Sequence, residues 1–450
     1  MERDLTQGKI ASSLLRFAAP MIAGNLLQQC YNLADTFIVG RCIGADALAA
    51  VGSSFTLMVF LTSILLGLCM GSGAVFSICY GAREEDKLKN SIFVSFVLIG
   101  IIAVVIQTVV LGALDPILRM LQIPHEIFKE TKEYLQVVCW GIFFTYLYNY
   151  FASLLRALGN SVVPLVFLAV SAAVNIVLDF VFILWFSMGV AGAALATVIA
   201  QGISAAGMMI YSVKVLPQLK LNKQHMRFDK MILDQVMKYS LLTCVQQSVM
   251  NFGILMVQGL INSFGVAVMA AFAAANKIDA FAYMPMQDFG NAFSTFIAQN
   301  YGAKKQHRIS QGIKRAALMA IGAGIVISAL VFVFAKPLLT LFIDPSEQEI
   351  LSIGVQYLHI EGACYWGIGV LFLFYGLFRG MGCPGISVVL TVISLGTRVL
   401  LAYGLAAIPA FGLLGVWWSV PIGWVLADLS GLLFWKKSKD KIIQLDSMEM

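Results

Sequence analysis

Long apolar runs, parted by short charged or turn-rich breaks, fill this chain from end to end. Between Ile92 and Ala113 there is no charged residue, and about 20 apolar residues in helical form span a bilayer. The breaks mark twelve predicted helices: 15–40, 47–78, 91–113, 134–155, 162–185, 190–213, 237–261, 267–298, 316–336, 356–378, 386–408 and 412–435. In lipid, each span must satisfy its own backbone polar groups, which selects helices. A transmembrane barrel would show alternating polarity in short segments, and the runs do not alternate. The first run extends to about Gly40, too long for a signal peptide, and is read as the first membrane helix. The expected fold is an all-α integral membrane protein.

Composition sharpens this picture. Hydrophobic residues make up 60% of the 450 and charged residues 12%, against roughly 25% charged in soluble domains. The net charge of +6 is explained by topology rather than by an acidic partner. With the N-terminus placed inside, 23 of the 30 Lys and Arg fall in inner segments and 5 in outer ones. Lys277 and Arg398 remain within the membrane. Such a bias predicts cytoplasmic termini and an even number of spans, in a cell (plasma or inner) membrane. Eight cysteines show no CxxC pair and lie mostly in apolar segments, where they act as small hydrophobes.

The sequence also repeats itself. At an offset of 221, CIGADALAAV (42–51) lies over SFGVAVMAAF (263–272), and SICYGA (77–82) over AQNYGA (298–303). At 223, LLRALG (154–159) lies over LFRGMG (377–382), and GVAG (189–192) over GLLG (412–415). Two six-helix bundles follow: an N-lobe over 1–213, a cytoplasmic linker over 214–236 and a C-lobe over 237–450. With six spans each, the lobes share one orientation and are pseudo-symmetric about an axis along the membrane normal, with a cavity between them.

An ionisable residue within the hydrocarbon is a functional hypothesis by default. The first half holds two, Asp35 near the outer end of the first span and Asp179 near that of the fifth. Counted at 1.5 Å per residue from the helix ends, both lie at one depth. Asn175 precedes Asp179 by one turn and faces the same way. Thr197, on the following span, reaches the same level, and Tyr31 and Asn32 precede Asp35 by about one turn. Two carboxylates, an amide oxygen and a hydroxyl suit a hard monovalent cation or a proton, because adjacent carboxylates resist joint ionisation. The competing reading is that each acid merely hydrogen-bonds a neighbour and locks helices together. The second-half counterparts of Asp35, Asn175, Asp179 and Thr197 are Met256, Arg398, Ala402 and Val420. That asymmetry favours a specialised site in the first half.

The second half carries Lys277, Asp279, Asp288, Arg398 and Asp428 within its spans. They are read as a structural or gating network, as substrate contacts or as ion-coupling groups. Two residues apart on one helix, Lys277 and Asp279 should diverge. Glu361, near the outer start of the tenth span, is read with His359 as a solvated pair. Tyr148 and Asn149 in TYLYNYF, and Tyr365 and Trp366 in CYWGIGVLFLFYG, occupy corresponding spans. These aromatic faces would bind aromatic or cationic organic substrates, although ordinary packing accounts for most such rings. No Walker sequence, cofactor motif or nucleophile–base set is present, which excludes direct ATP drive by this chain and argues against an enzyme. Nothing points to nucleic acid.

Together these residues resemble the multidrug and toxic-compound extrusion (MATE) family along essentially the whole chain. The resemblance rests on NLADTFIVGRCIGADALAAVG, NIVLDFVFI with GVAGAALAT, NKIDAFAYMPMQDFGNAFSTFIAQNYGA, and the paired LLRALGN and LFRGMG. It implies twelve helices in two lobes around a V-shaped cavity, and export driven by an inward proton or sodium gradient. In the subgroup with an N-lobe cation site, the ligands fall on Asp35, Asn175, Asp179 and Thr197, with the Ala193 carbonyl as a further one. Other subgroups use a Glu on the seventh span, where this chain has Gln246 and Gln247.

The leading expectation is a monomeric secondary antiporter, set among membrane lipids, that exports amphipathic organic cations in exchange for H+ or Na+. A flippase for lipid-linked oligosaccharides is the alternative, with Lys277 and Arg398 as its hint of a basic cavity. A membrane-embedded enzyme and a passive channel are further classes. Paired acids in one of two duplicated lobes argue for coupling over passive conduction.

Overall fold

The structure is a computed structural model that describes residues 4–121 and 123–447; Arg3, counted above among the inner basic residues, lies outside them. Among the described residues it is helical and contains no strand. The first six spans comprise α1 (Ile10–Cys42), α2 (Ala45–Gly81), α3 (Glu85–Gly112), a short α4 (Leu114–Met120), α5 (Phe128–Trp140) with α6 (Ile142–Ala157), α7 (Val162–Asp179) and α8 (Gly189–Val215). A π-helical turn, Phe180–Trp185, extends α7. The second six comprise α9 (Lys230–Asn262), α10 (Val266–Gly302), α11 (Gln306–Leu339), α12 (Gln348–Gly362) with α13 (Tyr365–Gly380), α14 (Pro384–Ala406) and α15 (Gly412–Ser447).

Ten helices are each long and apolar enough to cross a bilayer, and two bent pairs bring the number of spans to twelve among the described residues. The fourth span is broken at Gly141, bending by 44°, and the tenth at 363–364, bending by 49°. The hydropathy pattern predicts both as single helices, because a break inside an apolar run leaves no polar mark. Their matched positions show the repeat at the level of shape.

Backbone geometry repeats as well. Arg83 and Lys304, 221 apart, both adopt positive φ (60° and 55°), as do Gly44 and Gly265 (128° and 99°). At an offset of 223, Gly159 and Gly382 match at 87° and 85°, and Gly189 and Gly412 at 58° and 47°. A left-handed residue is uncommon outside glycine, so the shared Arg/Lys position is a specific signature of duplication.

The chain folds into two compact units. Unit 1 contains Ala19–Gln247 with Asp4, and unit 2 contains Leu5–Ala18 and Ser248 onward. The divisions fall inside α1 and α9, whereas 214–236 contains a 3-10 turn (Pro217–Leu219) and the start of α9. Within unit 2, Leu5 is wholly buried. The carbonyls of residues 5–8 accept hydrogen bonds from Asn300, Lys305 and Arg308.

Exposed apolar residues line single helix faces. On α3 they are Ile101, Val104, Val105 and Val109, and on α11 Leu318, Ile325, Val326 and Val333. In water such stripes would associate; against acyl chains they match their solvent. Inside each unit, small residues let helices approach. Gly290 of α10 meets α13 so closely that a Cβ there would lie 2.7 Å from the Phe372 carbonyl oxygen. One at Gly380 would lie 2.7 Å from that of Ser294, and Gly376 sits against Gly290. Gly376 and Gly380 thus form the small-xxx-small pattern of lipid-embedded packing. Arg379 fastens the same contact, donating to Asn291 Oδ1 at 2.9 Å and Ser294 Oγ at 3.0 Å.

Candidate functional site

Three helices of unit 1 converge on one polar cluster. Near the end of α1 stands Asp35, and α7 brings Asn175 and Asp179, one turn apart. In α8, Thr197 Oγ1 donates to the Ala193 carbonyl at 3.1 Å and accepts from Asn175 Nδ2 at 3.3 Å. Asp179 is wholly buried and Asn175 is 2% exposed. The Asp35 and Asp179 carboxyls lie within electrostatic reach of one another. All four residues predicted from depth and spacing therefore meet in one place, and Ala193 lies beside them.

What the cluster lacks is a donor. Asp35 Oδ1, Asn175 Oδ1 and both oxygens of Asp179 are buried with no hydrogen-bond partner. The Asn175 amide nitrogen is turned toward Thr197, and its oxygen is left without a donor. Buried oxygens in native structures almost always have a partner, and oxygen ligands suit a hard cation or a proton shared between carboxyls. Ile38 and Val39 of α1, Ile183 of the π-helical turn, and Val190 and Ala193 of α8 pack into one apolar cluster, with Ile176 and Tyr134 against it. Asp179 sits where α7 passes into the π-helical turn, a feature frequent at functional sites. The corresponding stretch of α14 has no such turn.

The other predicted residues divide. Tyr31 stands within electrostatic reach of Asp35 and Asp179, whereas Asn32 presents its carbonyl to Thr36. Tyr148 donates to the Pro164 carbonyl at 3.1 Å, and Asn149 to that of Thr145 on its own helix. Their neighbours Tyr146 and Tyr150 are buried and donate to α3 carbonyls, so much of TYLYNYF is packing. Trp366 is part-exposed, and its backbone fits against Gly324.

In unit 2, Lys277 and Asp279 do diverge. Lys277 lies over the Phe342 ring at 5.4 Å. Asp279 is buried and accepts from Tyr357 at 2.6 Å and from Tyr365. Tyr365 is thus part of this network and not of an open aromatic face. Arg398 lies within electrostatic reach of Asp279 and Glu361. Asp288 is buried on α10, farther along the same helix, and Asp428 is buried near Tyr375.

One sequence reading is corrected here. Glu361 and His359 are not a solvated pair. Glu361 is 6% exposed and faces Asp279 and Tyr357, while His359 stacks on Phe332 and donates to its carbonyl at 3.1 Å. The bend after Gly362 moves Glu361 from the expected start of a span to its broken middle. Tyr134 belongs beside the acids too and escapes a reading by depth alone. The repeat carries a signal for it: Tyr134 and Tyr357 are 223 apart, like Asn175 and Arg398.

A duplicated bundle of twelve spans, with a buried cluster of unpartnered oxygens in one copy, defines a polytopic membrane protein. The MatE family profile matches residues 20–181 and 240–404, and the chain belongs to that family. It is a membrane transporter and not an enzyme. It is 28% identical to the probable multidrug resistance protein YpnP of Bacillus subtilis, over 98% of each chain. With the multidrug export protein MepA of Staphylococcus aureus it shares 26% identity, over 98% of this chain and 96% of that one. Among solved structures, a MATE protein in complex with MaL6 superposes with a TM-score of 0.92 at 24% identity, covering 98% of this chain and 99% of that one. A transporter of the MOP superfamily from Pyrococcus furiosus gives 0.90 at 24%, covering 98% of both.

Proposed function

We propose that this chain is a secondary antiporter of the cell membrane that exports amphipathic organic cations and drugs in exchange for protons or sodium ions, by alternating access. The observation that carries this reading is the set of four buried, donorless oxygens on Asp35, Asn175 and Asp179. A proton or a monovalent cation among them would cancel the repulsion between two carboxylates, with Thr197 Oγ1 and the Ala193 carbonyl within reach as further ligands. Occupied, the cluster would draw α1, α7 and α8 together; empty, it would hold them apart. Only such a differential effect lets an ion shift an equilibrium between two states. The multidrug names borne by YpnP and MepA support the substrate class. Cytoplasmic termini and a monomer complete the reading.

Less supports the flippase alternative, because its two basic residues each have a neighbour. Lys277 is occupied by the Phe342 ring, and Arg398 stands beside two acids.

Transport of a fluorescent organic cation by proteoliposomes, under separate proton and sodium gradients, tests the proposal. Gradient-driven export should disappear in both Asp35→Asn and Asp179→Asn, while each variant elutes as folded protein. Normal export by both would remove the assigned site.

A further inference from the structure

The stretch from Lys214 to Lys238 covers the linker and the first turns of α9. It carries six basic residues, Lys214, Lys220, Lys223, Arg227, Lys230 and Lys238, against two acids, Asp229 and Asp234. All six are exposed. None of their side chains makes an ion pair or hydrogen bond among the described residues. Several other inner basic residues are engaged. Arg83 meets Asp4 at 3.0 Å, Lys87 and Lys89 pair with Glu84 and Glu85, and Lys305 and Arg308 donate to carbonyls of residues 5–8. On the linker the positive charge is left uncompensated.

The same stretch is held in shape by α3. Asn90 is buried and donates from Nδ2 to the carbonyls of His225 at 2.9 Å and Arg227 at 2.8 Å. His225, also buried, accepts from the Asn222 N–H at Nδ1, which leaves Nε2 to donate to Asp86 at 3.0 Å. The Phe228 ring lies 5.6 Å from that of Phe93, and Leu216 is buried. A surface ordered before its ligand arrives loses less entropy on binding. The acids at the start of α3 do not neutralise the linker, since Asp86 is taken by His225 and Glu84 and Glu85 by their own lysines.

Among these charges stand large apolar side chains. Met226, Phe228 and Met231 are each at least half exposed, as are Val213 and Val215 at the end of α8. At a bilayer interface the two kinds of residue are complementary. Apolar groups sink below the headgroups, while Lys and Arg extend to the phosphate oxygens. The start of α9 is not the attracting group, because Asp229 Oδ1 already accepts from the N–H groups of Met231 and Ile232. We propose that Lys223, Arg227 and Lys230, with Met226, Phe228 and Met231 among them, form a binding surface for the headgroup of an anionic phospholipid of the inner leaflet. A zwitterionic headgroup offers the same phosphate together with its own ammonium, and so gains less from this surface. The choice of leaflet rests on the cytoplasmic placement of the termini proposed above; the headgroup chemistry does not.

Equilibrium binding of a fluorescent short-chain phosphatidylglycerol to the purified full-length protein in neutral detergent tests this. Phosphatidylcholine of the same chain length and glycerol phosphate serve as competitors. The first should compete several-fold more weakly than unlabelled phosphatidylglycerol, and the second hardly at all. Arg227→Gln/Lys230→Gln should weaken binding about five-fold for each charge removed, and about 0.5 M salt should weaken it in the native protein. Lys314→Gln/Arg315→Gln removes the same charge from another exposed stretch and should leave the affinity nearly unchanged. Met226→Ser/Phe228→Ser keeps every charge and should weaken both lipids. Equal losses in the two charge variants would overturn the proposal in favour of diffuse attraction to a basic protein. Full competition by glycerol phosphate would replace the lipid by a free anion, and native affinity in Arg227→Gln/Lys230→Gln would remove the site. Protein in detergent has neither sidedness nor a gradient, so failure of the antiport reading or of the topology would leave these results intact.

Discussion

At the scale of the residue, Thr197 shows how closely spacing alone approaches the site. Counting residues from a helix end places it level with the acids, and its hydroxyl does bridge Asn175 and the Ala193 carbonyl. Thr197→Val keeps the shape and removes that bridge. A lost hydrogen bond of this kind costs about 1 kcal/mol, so the apparent affinity for the coupling ion should fall several-fold in an equilibrium titration, with expression unchanged. A larger effect is expected from the acids. Affinity for a fluorescent organic cation, measured from pH 5 to 9 with and without sodium, should vary in the native protein and become flat in Asp35→Asn/Asp179→Asn. An equal response in the double variant would separate binding from this site. Glu361 is harder to place, because its setting depends on a bend hidden within an apolar run. Charge and hydropathy register that a residue lies in a span, but not which of several partners on other helices it will meet.

Elements are legible where a polar break bounds them, and less so where they end inside lipid. Gly141 interrupts the fourth span within a run that looks continuous by composition. The π-helical turn after Asp179 is equally silent, since FVFILW is apolar whichever ladder it adopts. Helix contacts, by contrast, depend on small residues that are visible in the sequence but ambiguous without a partner. Gly376 illustrates the point, being pressed against Gly290 on α10. Gly376→Leu should lower the thermal unfolding midpoint in detergent, because overpacking costs about 1–3 kcal/mol. At Gly396 on α14, an added methyl group would meet nothing within 4 Å. There an alanine should be neutral or stabilise by up to about 1 kcal/mol through helix propensity, and the same unfolding measurement separates the two cases.

For the whole molecule, the duplication is readable because its junctions carry glycines, and because Arg83 and Lys304 fall at one offset. The membership of each segment in a compact unit is not, since it is decided by packing between residues hundreds of positions apart. Leu5 and Arg308 meet in this way. That packing has a consequence for how the protein comes to be made. The opening residues 5–18 belong to the unit completed last, and residues 230–247, the first half of α9, belong to the unit begun first. Neither half can finish folding from its own half of the message. If the gene is severed at the codon for Asp229, each fragment synthesised alone should be degraded or remain protease-sensitive. Co-expression should rescue both by complementation in trans, read as co-purification on a tag carried by one fragment. Two fragments that fold stably apart would show that the exchanged segments are dispensable. During biosynthesis, then, the N-terminal arm must stay accessible until the ribosome has delivered the second set of helices.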